Sequence, residues 1–183
     1  MPDFDLTGKR LTRAANSWLG GAHWGPVVVA DAWADSADGG PEMRLVASLD
    51  PSELAQAVAG VDPETLLFII ASKSFSTQET LMTAQAAHDR MAGQLGAEQA
   101  GRHFAAASAA RDKAVAFGIE PEQVFDFPDW VGGRYSVWSA VGLSLEIGLG
   151  PDVFAQFRDG AGSMVAHFAT APLALNPPVM KAF

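Results

Sequence analysis

No cysteine occurs among the 183 residues, which excludes disulfides, thiol nucleophiles and cysteine metal sites. Positive charge is scarce: 12 Lys and Arg stand against 21 Asp and Glu, a net charge of −9. A general nucleic-acid binder needs a basic footprint, and this balance argues against one. It leaves room for one small anion site, because a loop and a helix end can hold a phosphate inside an acidic protein. No apolar run approaches the roughly 18 residues that span a bilayer, so no membrane partner is expected. The start, MPDFDLTGKR, is polar and lacks a leader-like apolar region, and a cytoplasmic location is expected. Disorder is excluded by what is present: 49% hydrophobic and 18% charged residues. The length suits about one domain, large enough to bury roughly two thirds of its unfolded surface.

Apolar runs alternate with alanine-rich helical stretches. Leu66–Ala71 is the strongest strand and is apolar on both faces, as a central parallel strand should be. Shorter strands are expected at Met43–Ser48, His103–Ser108 and Val124–Phe127, with a mixed apolar run at Leu11–Leu19. Gly25-Pro26 is read as opening a short helix over Val27–Trp33, and Asp35–Pro41 as a loop. Asp50-Pro51-Ser52-Glu53 is a helix start, with Asp as N-cap and Pro at the first position. Ser76-Thr77-Gln78-Glu79 reads as a capping box before a long helix to about Leu95. Arg111–Phe117 is helical with Gly118 as its stop. Further helices are expected at Tyr135–Ile147 and near Asp152–Thr170, and the chain ends inside what reads as another. Strand–helix alternation of this kind implies α/β architecture, a parallel sheet with helices on both faces.

Two stretches carry chemistry. Ser72-Lys73-Ser74-Phe75-Ser76-Thr77 sits between the strongest strand and a capped helix. Ligands gather at the carboxyl ends of strands in open parallel sheets, and a helix N-terminus offers free N–H groups. The hydroxyls and Lys73 suit a phosphate, although Ser and Thr can equally serve only to cap the helix. The loop lacks the Walker A pattern, and Gly20-Gly21 does not complete a dinucleotide fingerprint. The second stretch is Asp129-Trp130-Val131-Gly132-Gly133-Arg134-Tyr135-Ser136. Its glycines allow close backbone approach. Arg134 at a helix start opposes the macrodipole, which suggests an anionic partner; a salt bridge to Asp126 or Asp129 is the alternative.

Together the two stretches resemble the phosphoglucose isomerase family. The family's sugar-phosphate loop, Ser-Lys-Thr-Phe-Thr-Thr-Gln-Glu-Thr, is similar to Ser72–Thr80, and its Asp-Trp-Val-Gly-Gly-Arg-Tyr-Ser signature stands unchanged at Asp129–Ser136. The resemblance implies a three-layer α/β/α sugar isomerase (SIS) fold, doubly wound on a five-stranded parallel sheet, with residues 1–183 forming one such domain. It implies interconversion of glucose 6-phosphate and fructose 6-phosphate, as in glycolysis and gluconeogenesis, with no metal or organic cofactor. By position, Ser72, Lys73, Ser74 and Thr77 would hold the phosphate of this carbohydrate derivative, Gly21 would lend backbone, and Arg134 would stabilise the enediolate. The family's carboxylate base, ring-opening His and a later Lys have no counterpart in this chain. It is therefore expected to be inactive alone, since general base catalysis is worth roughly 10²–10⁴-fold.

The chain also departs from the family pattern along what should be one rim of the sheet. Trp18 stands where the family has Gly, Ala22 where it has the phosphate-side Ser, and His23 and Trp24 follow. Ala47-Ser48, Ser108-Ala109-Ala110 and Pro128 replace Ser-Asn, Ser-Thr-Asn and Trp. Trp18 and Ala22 should weaken sugar-phosphate binding. A rival reading is an engineered or repurposed scaffold that binds a protein partner through Trp18, His23 and Trp24, since Trp is enriched at binding hot spots. His103 and His167 read as structural and His88 as exposed. No His or carboxylate spacing supplies a metal site.

Overall fold

The computed structural model describes residues 9–17, 21–33, 35 and 40–182. Trp18 and most of the loop expected at Asp35–Pro41 lie outside the described residues.

Leu66–Ala71 forms β3, every residue of it buried. It pairs with β1 (Arg13–Ser17) on one side and β4 (Phe104–Ala107) on the other. β2 (Glu42–Val46) adds outside β1, and β5 (Val124–Phe125) outside β4. All pairings are parallel, and the order is β2-β1-β3-β4-β5. The five-stranded α/β sheet is as expected, with strands shorter than the apolar runs suggested. β5 is cut to two residues where Arg111 takes the Val124 carbonyl and the Asp126 carboxylate.

The pleat sorts the core into two layers. Ala15, Phe68, Ile70 and Ala106 face α2 (Pro51–Ala57), α3 (Gln78–Leu95) and α5 (Arg111–Phe117). Their neighbours Ala14, Leu67, Ile69 and Ala105 face α6 (Leu143–Leu149), whose outer side meets α1 (Gly21–Ala32). A short α4 (Ala97–Ala100) links α3 to β4. Helices therefore cover both faces.

Three helix boundaries differ from expectation. α1 begins at Gly21 rather than after Pro26, which sits inside the helix and forfeits one backbone bond. The cap of α3 is Thr77, so Glu79 falls one place short of the third helical position and no box forms. Tyr135–Ile147 is not one helix: 3-10 turns at Gly133–Trp138 and Ala140–Gly142 precede α6. The Ser136 hydroxyl donates to the Gly133 carbonyl and the Ser139 hydroxyl to the Ser136 carbonyl, each three residues back. Such local bonds favour tight turns over helix.

α7 (Pro151–Thr170) buries only Phe154. Its outer half pairs with α8 (Pro177–Met180) as a hairpin, joined by Asn176 Nδ2 donating to the Phe168 carbonyl at 2.9 Å. Met164, Val165, Phe168, Leu173, Leu175 and Met180 remain exposed on it. No helix among the described residues is long and apolar enough to cross a membrane.

Candidate functional site

β1 and β3 are neighbours in space, yet the chain leaves β1 toward β2 and leaves β3 toward β4. Connections diverge there, and in such sheets ligands bind beyond the carboxyl ends of the strands at this point. The chain after β1 leads to the start of α1, and the chain after β3 is the loop 72–77. Both sequence-predicted phosphate elements, Gly21 and Ser72–Thr77, thus stand at this switch point.

The loop's peptides are sorted by polarity. The Ser72 carbonyl accepts from the Ser108 hydroxyl at 2.7 Å and from the Phe75 amide at 3.3 Å. The Lys73 carbonyl accepts from the Ala109 amide, and the Ser74 carbonyl from Lys113 Nζ, each at 3.1 Å. The amides of Lys73, Ser74, Ser76 and Thr77 have no acceptor among the described residues. Carbonyls tied back to the fold, with amides left unpaired at a helix start, are an arrangement that suits an anion.

The side chains add to it. Ser72 is 7% exposed and its hydroxyl is buried with no partner among the described residues. The Ser76 hydroxyl donates to that of Ser74 at 2.7 Å. Thr77 caps α3 through its backbone, and its hydroxyl makes no cap bond. Lys73 Nζ reaches across to donate to the Asp129 carbonyl, tying the two signature loops together. Ser108, which the sequence offers only as a position on the altered rim, and Lys113, which it does not single out, brace the loop from below. Each follows β4, and only the pairing of β4 with β3 brings them to the loop.

Arg134 is exposed, and its guanidinium has no partner among the described residues. Asp126 pairs with Arg111 instead, at 3.2 Å, which removes that alternative. The turn carrying Arg134 rests on α1 at Gly25, where a Cβ would come within 2.7 Å of the Arg134 carbonyl. Gly133 turns the chain at φ +67°. His23 is half-buried, and its ring meets Trp24 edge-on at 5.6 Å. Burial pushes the His23 imidazole below its ordinary pKa, against a smaller opposite pull from Glu53. Glu53 clamps the loop after β2, accepting from the amides of Ala47 and Ser48. Trp24 is 61% exposed.

Elsewhere, His103 is fully buried and its Nδ1 donates to the Leu66 carbonyl at 2.9 Å. His167 bonds the Leu175 carbonyl. His88 is not exposed as expected: it is half-buried between Phe104 and Phe117. Among the described residues no group of three or more His, Asp or Glu gathers as a metal site would.

The phosphoglucose isomerase family model matches residues 4–183. The chain belongs to the phosphoglucose isomerase family. Among curated proteins it is 48% identical over 174 residues to a glucose-6-phosphate isomerase of Agrobacterium fabrum, covering 95% of this chain and 32% of that one. A glucose-6-phosphate isomerase of Rhizobium meliloti is 47% identical with the same coverage. The chain therefore spans about a third of the length of these phosphoglucose isomerase relatives. Among solved structures, a hypothetical protein of Thermus thermophilus superposes with TM-score 0.75 at 27% identity, over 94% of this chain and 40% of that one. A glucose-6-phosphate isomerase of Chlamydia trachomatis shares the fold with TM-score 0.81 at 24% identity, over 94% and 33%. The phosphoglucose isomerase match runs through the altered first loop, and none of these relatives supports an engineered or repurposed scaffold.

Proposed function

We propose that this chain is the sugar-phosphate-binding part of an aldose–ketose isomerase acting on glucose 6-phosphate and fructose 6-phosphate. What supports this most is the loop after β3, with bound carbonyls, and with amides and a buried Ser72 hydroxyl that are unpaired among the described residues. In this reading Ser72, Ser74, Thr77 and the loop amides hold the phosphate, with Gly21 at the start of α1 beside them. Lys73 exchanges the Asp129 carbonyl for a phosphate oxygen. Arg134, unpartnered among the described residues, offsets the negative charge that develops on the sugar as its carbon-bound proton leaves. Residues 1–183 act as one domain for binding, and a carboxylate base outside the chain moves the proton between C1 and C2.

The test is a thermal shift with fructose 6-phosphate and 6-phosphogluconate, with inorganic phosphate as the control. Ligand at about 100 times its dissociation constant stabilises by roughly 2.7 kcal/mol. A shift larger with the sugar phosphates than with inorganic phosphate, and lost in Lys73→Ala, is expected, together with no turnover of fructose 6-phosphate by the chain alone. No shift at millimolar ligand overturns the reading, and turnover by the chain overturns the placement of the base.

A further inference from the structure

Phe75 is a large aromatic where the backbone favours glycine. Its φ is +44°, the only positive value at a non-glycine residue among those described, and it is 3% exposed. Its ring stands edge-on to Phe117 of α5 at 5.8 Å. Phe117 meets His88 of α3 at 5.9 Å and Phe104 of β4 at 6.4 Å. Phe104 stacks on Phe68 of β3 at 5.1 Å. A continuous file of rings thus runs from the tip of the anion loop into the core beneath it.

A glycine would adopt this φ freely, so the conformation alone gives no reason for a phenyl ring. What the ring adds is an anchor: it drives the loop onto the same layer that supplies Ser108, Ala109 and Lys113. We propose that Phe75 is a positioning residue that plugs the anion loop into the core, so that the amides of Lys73, Ser74, Ser76 and Thr77 stay unpaired and aligned before a phosphate monoester arrives. The identity of the ligand rests on the reading above; the plug itself does not. An anchor of this kind acts on the phosphate and not on the sugar. Weakening it lowers affinity for inorganic phosphate and for fructose 6-phosphate by the same factor.

The test uses the whole chain with Phe75→Leu, Phe117→Leu and the double variant. Phe117 lies outside the loop, so Phe117→Leu keeps the test alive if Phe75→Leu does not fold. Titration calorimetry with inorganic phosphate and fructose 6-phosphate is expected to show about a tenfold loss for each single variant. The loss is equal for the two ligands, and the double variant is no worse than the weaker single one. Without ligand, amide hydrogen exchange at Phe75 and Ala109 is expected to quicken while that of β3 does not. Unchanged affinities with a lowered Tm would make Phe75 a core residue only and overturn the proposal, as would a loss confined to fructose 6-phosphate. If the unmodified chain binds neither ligand, the sugar-phosphate reading fails. Exchange then decides the plug alone: faster at Phe75 and Ala109 supports it, and unchanged overturns it.

Discussion

A buried hydroxyl without a partner burdens a fold unless a ligand takes it up. The Ser72 hydroxyl has no partner among the described residues. Removing such a group relieves an unmet hydrogen bond, whereas removing one that a ligand uses costs about 1 kcal/mol. Ser72→Ala is therefore expected to leave thermal stability unchanged or slightly higher, and to weaken fructose 6-phosphate binding about fivefold. Thermal unfolding and calorimetric titration of the same sample check both signs. Phe75 poses the opposite case at the same scale. Its left-handed backbone costs of order 1–3 kcal/mol, and burial of the ring offsets it.

Between elements, the contact that sets Arg134 is the docking of its turn on α1. A methyl group at Gly25 would strike the Arg134 carbonyl, which is backbone and cannot rotate away. Gly25→Ala is expected to destabilise by about 1–3 kcal/mol, measured by urea unfolding, and to weaken sugar binding by moving the turn. The amino end of β4 has its own signature. Burial lowers the His103 pKa below the usual value of about 6.5, against a weaker raising by its bond to the Leu66 carbonyl. Between the lowered folded value and 6.5 the unfolded chain binds more protons, so stability rises with pH there. It is full above 6.5 and falls as pH drops below it. His103→Asn is expected to flatten the decline of Tm as pH falls below about 6.5.

These elements were legible to different degrees. β3 could be read because all six of its residues are apolar, and α5 because Gly118 stops it in a left-handed turn. The Tyr135–Ile147 stretch could not, since 3-10 and α periods are hard to tell apart over six residues and hydroxyl back-bonds decide between them. The candidate loop 72–77 was visible in its residue types. The sorting of its carbonyls from its amides was not, because peptide orientation follows from the contact with Ser108, Ala109 and Lys113, distant in sequence until β4 pairs with β3.

Across the whole molecule, an acidic chain brings Lys113 of α5 to the loop that carries Lys73, while the α7–α8 hairpin carries apolar side chains into solvent. Contiguous apolar surface of this kind promotes association. Sedimentation velocity is expected to show concentration-dependent association that ammonium sulfate strengthens, and that Phe168→Ser with Leu175→Ser reduces. The sheet order has a different consequence, for the chain as it emerges from the ribosome. β1 waits for a partner that is synthesised about fifty residues later. The switch point between β1 and β3 therefore does not exist while the first two strands alone are available. Ligand affinity should switch on abruptly as nascent chains are lengthened past β4 and its bracing serine.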